Sequence, residues 1–210
     1  MRIEKVEYCS GYGILSDQDI IDAVDKTGMI SPFRNTIQQT DDDGQGILSY
    51  GLSCGGYDVR AAPTFKVMKQ DNILHPGDEI IDVKKPGIES HFQDVSCDVL
   101  DLRPYGFALT HTIETFRIPE DVMVTCYTKS TYARCGLSVF TTIIEPGQTG
   151  HIVLEIFNHT DRRIRFYANE GCAQFVFSFT ASKPKVPYNK RNSVGGKYMN
   201  QQGIVMPRVK

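Results

Sequence analysis

Between residues 64 and 126 the chain is a series of short apolar runs, rich in β-branched and aromatic residues and separated by turn signals built on proline or glycine. His75-Pro76-Gly77, Lys85-Pro86-Gly87, Arg103-Pro104-Tyr105-Gly106 and Ile118-Pro119-Glu120 supply the turns, and residues 107–109 and 122–127 are typical runs. Proline removes a backbone donor and breaks a helix, so turns at this spacing favour many short strands packed as a sandwich or barrel. The pattern continues on both sides. Gly51, Gly55 and Gly56 punctuate residues 47–60, a turn at Asn169-Glu170-Gly171 separates strand-like runs at 163–167 and 173–179, and Pro184 and Pro187 end regular structure. Two segments read as helical. Ser16 precedes Asp17-Gln18-Asp19, after which Ile20, Ile21 and Val24 fall at helical spacing and Gly28 closes the run, the pattern of a capped amphipathic helix of about three turns. A single turn near Thr131 is the other.

The chain has 210 residues, 40% hydrophobic and 23% charged, which fits one domain over residues 1–210 able to bury its own core. Residues 1–13 read as a turn-rich lead-in. The formal net charge of −2 hides an asymmetry, because residues 183–210 carry seven Lys or Arg and no acid. Such a tail suits a phosphate-bearing partner, with nucleotide, nucleic acid and acidic surface all open. The six cysteines, at 9, 54, 97, 126, 135 and 172, form no C-x-x-C pair and several lie in apolar runs, so reduced, mostly buried thiols are expected. Met1-Arg2-Ile3-Glu4-Lys5-Val6-Glu7 lacks the apolar core of a signal peptide and no run approaches membrane-spanning length. The expectation is a soluble cytoplasmic protein.

Two stretches concentrate chemistry. Lys129-Ser130-Thr131-Tyr132-Ala133-Arg134 follows a strand and ends at Gly136. Ser130 or Thr131 can cap the helical turn, and its backbone N–H groups, flanked by Lys129 and Arg134, can receive an anion. The alternative is a capped surface turn with two solvated charges. In residues 151–157, alternation puts His151, Val153, Glu155 and Phe157 on one face and Ile152, Leu154 and Ile156 on the other. Bulky neighbours would desolvate Glu155 and raise its pKa, as proton transfer near neutrality requires. The alternative is a Glu paired with Arg163 or Arg165. Asp41-Asp42-Asp43-Gly44 lacks the spacing of a calcium loop and reads as a solvated turn. No zinc-deaminase signature, no paired His spacing, no phosphate-loop motif and no nucleophile elbow occurs.

Taken together, the motifs resemble the dCTP deaminases of the trimeric dUTPase-like superfamily. The resemblance rests on residues 129–137, Glu145-Pro146, Gly150-His151-Ile152-Val153-Leu154-Glu155, Tyr167-Ala168-Asn169-Glu170-Gly171-Cys172-Ala173-Gln174, and Gly195-Gly196-Lys197-Tyr198 with Gln201 and Gly203. Leu48-Ser49-Tyr50-Gly51, Gly56-Tyr57-Asp58-Val59-Arg60 and Phe116-Arg117-Ile118-Pro119 are similar to the family's earlier segments. It implies a mainly β fold, a distorted barrel or jelly roll, with an N-terminal helix and with residues 183–210 as a lid. It further implies a homotrimer with sites between subunits.

By the same resemblance, dCTP is deaminated to dUTP and ammonia without zinc, with Mg2+ carried by the triphosphate and dTTP as a feedback inhibitor. Glu155 would activate the water, Ser130 would hold it and Arg134 would support the site. Lys129, Ser130, Thr131, Tyr132, Ala133 and Arg134 would line the phosphates, Val153 and Leu154 would offer backbone groups to the base, and Glu145 would lie near the sugar. Thr142, Gln174, Tyr188, Lys197 and Gln201 complete the implied contacts. Membrane attachment is not implied, and nucleic acid is not the expected partner. The chain departs from the family's pattern at Phe140, Ile143 and Gln148, which leaves dCTP, dCMP and a modified cytosine nucleotide open as substrates. A deaminase that also hydrolyses dUTP and a nucleotide-binding regulator are the other readings.

Overall fold

A helix capped at both ends leads into the strands. In α1 (Asp17–Thr27) the Ser16 hydroxyl accepts from the Asp19 N–H while the Asp19 carboxylate accepts from the Ser16 N–H, two otherwise orphaned donors satisfied reciprocally. Gly28 ends the helix in the left-handed region, φ 67°, which a residue without a Cβ adopts at little cost. The helix buries Ile20 and Ala23 against the core. The computed structural model describes residues 13–69, 80–191 and 195–208. Most of the lead-in with Cys9, and the His75-Pro76-Gly77 turn, lie outside the described residues.

The strands are β1 (Ile30–Ser31), β2 (Gln38–Thr40), β3 (Gly46–Ser53), β4 (Gly56–Arg60), β5 (Thr64–Met68), β6 (Phe92–Ser96), β7 (Val99–Leu102), β8 (Phe107–Arg117), β9 (Val122–Thr128), β10 (Leu137–Phe140), β11 (Thr149–Asn158), β12 (Ile164–Tyr167) and β13 (Gly171–Phe179). One sheet runs β10-β11-β8-β5-β6, with β1 also on β8; a second runs β2-β3-β4-β13-β9; β7 and β12 form a ribbon. Every strand pair is antiparallel. The expected mainly β architecture with an N-terminal helix is present.

The two sheets bury their facing sides. Tyr57 and Val59 of β4, Phe175 and Phe177 of β13, and Val122 and Val124 of β9 meet Ala108 and Phe116 of β8 and Ile152, Leu154 and Ile156 of β11. Phe116 and Phe175 touch across the interface with ring centroids 5.2 Å apart. The alternation expected for residues 151–157 is observed, with 152, 154 and 156 inward.

The strand lengths differ from expectation, since β8 spans eleven residues rather than a short run at 107–109. Its polar interior masks it: Thr110, Thr112 and Glu114 are buried. The Thr110 hydroxyl donates to the Ala62 and Thr64 carbonyls, and Thr112 Oγ1 to the Glu114 carbonyl. Burial pushes the Glu114 carboxyl up, against the Arg60 Nε–H and backbone N–H that donate to it at 2.8 and 3.0 Å. Side chains that satisfy one another permit such burial. Residues 41–44 are the β2–β3 turn, held by Asp41 Oδ1 accepting from the Asp43 and Gln45 N–H groups. Two short 3-10 turns, Ile88–His91 and Tyr188–Lys190, join the expected helical segments. No helix among the described residues is long and apolar enough to cross a membrane.

Candidate active site

Pairing of β10 with β11 stops where Phe140 faces Glu155. β11 runs on to Thr149, and at that end the C-terminal tail takes the same edge: Gly150 bridges Gln201, the His151 N–H donates to the Gln201 carbonyl at 3.0 Å, and the Asn200 N–H to the Thr149 carbonyl at 2.9 Å. Between the end of β10 and the tail, the edge at Val153 and Leu154 has no strand partner among the described residues. A gap flanked by paired backbone presents main-chain donors and acceptors in fixed positions.

Glu155 stands at one end of that gap. One rung of the sheet places it between Leu109 of β8 and Phe140 of β10, so the three side chains share a face. Leu109 is 7% exposed and Phe140 42%. Neither Arg163 nor Arg165 reaches Glu155; Arg165 Nε instead donates to Asp101 at 2.8 Å. Among the described residues the Glu155 carboxyl has no hydrogen bond or ion pair, and burial alone raises its pKa. Burial also pushes the Cys126 thiol of β9 up to about 12, with the Glu155 charge adding to the effect. A half-buried carboxyl without a partner is poised to exchange a proton.

At the end of β9, α2 (Ser130–Ala133) forms the expected helical turn, and Gly136 (φ 81°) follows it. The capping expected of Ser130 or Thr131 is not found: Lys129 occupies the N-cap position and no side chain caps the turn. The start of the turn is held differently, by an ion pair between the Lys129 ammonium and Asp58 of β4. Tyr132 points into the core, stacks on Phe166 and accepts from the Tyr167 N–H at 2.9 Å, so it offers a ligand only its backbone. Ser130, Thr131, Ala133 and Arg134 are exposed, while the Tyr132 and Ala133 N–H groups donate to the Lys129 carbonyl at 3.0 and 3.1 Å.

The tail packs on its own chain. Tyr188 is buried, with its hydroxyl accepting from the Tyr198 N–H at 2.9 Å and its carbonyl from the Gly196 N–H at 2.7 Å; it anchors the segment. Arg191 forms a two-point ion pair with Glu145, at 2.8 and 3.2 Å. Lys197 lies over the Tyr198 ring at 5.1 Å. Gln201 is 8% exposed and its Oε1 is buried without a donor. Gln174 of β13 donates to Ser53 Oγ at 3.0 Å, and Thr142 is exposed in the loop after β10.

A family model described as dCTP deaminase-like matches residues 14–180. The chain belongs to this family. It is 44% identical over 196 residues to a dCTP deaminase from Erythrobacter litoralis, covering 93% of this chain and 99% of that relative. It is 43% identical over the same length and coverage to a dCTP deaminase from Rhizorhabdus wittichii. Among solved structures, the crystal structure of 2'-deoxycytidine 5'-triphosphate deaminase from Agrobacterium tumefaciens matches in fold with a TM-score of 0.56 at 19% identity. That match spans 81% of this chain and 49% of the other.

Within one chain of this deaminase family member, Glu155, Val153, Leu154, Phe140 and Gln201 gather on one edge of β11, while no hydrogen bond or ion pair joins the Glu155 side chain to Ser130 or Arg134 among the described residues. Sequence reasoning missed Asp58 and Glu120 as partners of the basic residues. Asp58, an acid between Tyr57 and Val59 in β4, carried the same signal as Glu155. Glu120, in an exposed-looking turn, carried none.

Proposed function

We propose that this chain converts dCTP and water to dUTP and ammonia. The observation that carries the proposal is the gap in β11: an unpaired edge at Val153 and Leu154 beside a carboxyl with raised pKa and no polar partner. The edge of a cytosine can hydrogen-bond to that backbone, which brings C4 next to Glu155. Ionised Glu155 takes a proton from water as the oxygen adds to C4 and passes it to ring N3; it then moves the proton of the new C4 hydroxyl to the exocyclic amino group, so that C4=O forms as the bond from C4 to that amine breaks and ammonia leaves. The apolar flank of Phe140 and Leu109 excludes bulk water from that exchange. Ser130 holds the attacking water, and Arg134, free of the pairing that engages Lys129, supplies positive charge.

Because Ser130 and Arg134 do not meet Glu155 within one chain, the site is completed between subunits, and a homotrimer is the assembly we propose. The triphosphate enters with its Mg2+, residues 183–210 close over it, and dTTP competes for the same place. The five cysteines among the described residues are free thiols, in keeping with a cytoplasmic protein.

Incubation with dCTP, dCMP and dUTP side by side tests the reaction: dUTP and ammonia from dCTP, without pyrophosphate, is the expected result, and dUMP with pyrophosphate contradicts it. Glu155→Gln is expected to lower ammonia release at least about a hundredfold while nucleotide binding persists. Turnover by Glu155→Gln at the parent rate contradicts the role of the carboxyl, and an active monomer on sizing contradicts the assembly.

A further inference from the structure

Glu120, in the turn between β8 and β9, collects three tail donors on one carboxylate. Its Oε1 lies 2.6 Å from Lys190 Nζ and accepts from Asn189 Nδ2 at 3.1 Å, and its Oε2 lies 3.1 Å from Lys183 Nζ. The Glu120 side chain is 13% exposed while those of Lys183 and Lys190 are 61% and 59% exposed, so the carboxylate is covered by the tail and water reaches the pairs from the lysine side. Burial alone would raise its pKa, but the hydrogen bonds from Lys190, Asn189 and Lys183 outweigh burial and hold the carboxyl at about 2.

The neighbouring backbone does the same work. The Asp121 carbonyl accepts from the Thr180 N–H at 2.9 Å, where the chain leaves β13, and the Pro119 carbonyl accepts from the Gly147 N–H at 3.2 Å. Pro146, next to Gly147, accepts from the Tyr188 N–H at 2.8 Å. The turn at 118–121 therefore ties together the root of the tail and the loop bearing Glu145. Beyond this point the tail carries Lys197 and Gln201, and Gln201 closes the far end of the β11 gap.

We propose that Glu120 is a positioning residue for substrate binding, holding the root of the tail so that residues 195–203 lie across the nucleotide site. This rests on the deaminase reading for its kinetic arm alone, because tail placement is measurable without substrate. The Glu120 carboxylate touches neither Glu155 nor the β11 gap, so it acts on binding through the tail and leaves the chemical step intact.

Glu120→Gln keeps the shape and removes the charge. Hydrogen exchange of residues 188–191 and 195–201 in the full chain, and of the His151 N–H that donates to Gln201, is expected to accelerate at least about tenfold, with exchange in β8 and at residues 153–158 of β11 unchanged. KM for dCTP is expected to rise about tenfold with kcat within about twofold of the parent, since neutralising the shared acceptor of these solvent-screened interactions weakens the tail's hold by that order. A charge reversal guards against misfolding: Glu120→Lys should release the tail, and adding Lys183→Glu and Lys190→Glu should restore both tail protection and KM. Unchanged exchange at 188–191 and 195–201 in Glu120→Gln overturns the proposal, as does equal loss of kcat and protection throughout the fold. If the parent itself shows no deamination, the exchange measurement still decides the clamp, while the deaminase reading alone fails.

Discussion

Lys129 and Asp58 provide a test in which the structure sets the size of the effect. Their side chains are 12% and 10% exposed, so water screens the pair little. Removing one partner of a buried ion pair leaves an uncompensated charge and costs about 3–5 kcal/mol; the residual exposure here puts Asp58→Asn near the lower figure, about 3 kcal/mol. For a chain of 210 residues, each kcal/mol moves the midpoint by roughly 2–4 °C, which gives a fall of about 6–12 °C. Removing both charges with residues of similar volume, Asp58→Leu with Lys129→Met, should recover most of that loss, because the desolvation penalty disappears with the charges. The assay is thermal unfolding of the parent, Asp58→Leu, Lys129→Met and the double variant at one protomer concentration, read as a double-mutant cycle with a coupling of about 2 kcal/mol or more, with Asp58→Asn measured beside them. A single substitution that costs under about 1 kcal/mol, or strict additivity of the two, would show that the ammonium is not held by Asp58 and that α2 is positioned by something else.

Three further expectations concern the gap in β11. Phe140→Ala uncovers Glu155 and should move its pKa back toward the ordinary carboxylate range, so the acid limb of the kcat profile shifts to lower pH; an unmoved limb refutes the assignment of that limb to Glu155. The linkage sign follows: a carboxyl raised by folding binds its proton more readily when folded, so its ionised form weakens the fold above the raised pKa. Glu155→Gln should therefore be more stable than the parent at pH 8, with the difference shrinking as the pH falls toward the ordinary carboxylate value, measured by urea midpoints across that range. Gly150→Ala places a Cβ 2.4 Å from the Gln201 nitrogen at φ +108°, which displaces the tail. Breaking the tail's hydrogen bonds there, at a cost of about 2 kcal/mol, should raise KM for dCTP roughly thirtyfold, and an unchanged KM would separate the tail from substrate binding.

Local pattern carried much of this protein. Ser16, Asp19 and Gly28 announced α1 because caps satisfy backbone groups within a few residues of themselves. β9 and the alternation around Glu155 were legible because side chains on a strand repeat every two residues. Proline and glycine turns announced a β architecture since they act on their own backbone. Reading Ser130 or Thr131 as a cap failed because Lys129 takes the N-cap position, its ammonium held by the distant Asp58. The pattern of the basic tail did not show its intrachain role: Lys183 and Lys190 are engaged by Glu120 and Arg191 by Glu145, so part of its charge holds the tail to its own chain.

What the amino-acid order alone determined was therefore the kind of element at each position, the face each residue occupies, and the motifs that mark the family. Sheet order decided the rest. Asp58 meets Lys129 across 71 residues of chain and Glu120 meets Lys190 across 70, and the gap at Val153 and Leu154 exists because β10 ends at Phe140 and the tail returns to Gly150. Periodicity acts over neighbouring residues, whereas ion pairs and open strand edges depend on which distant segments the core brings side by side, and that is set only when the sheets pack.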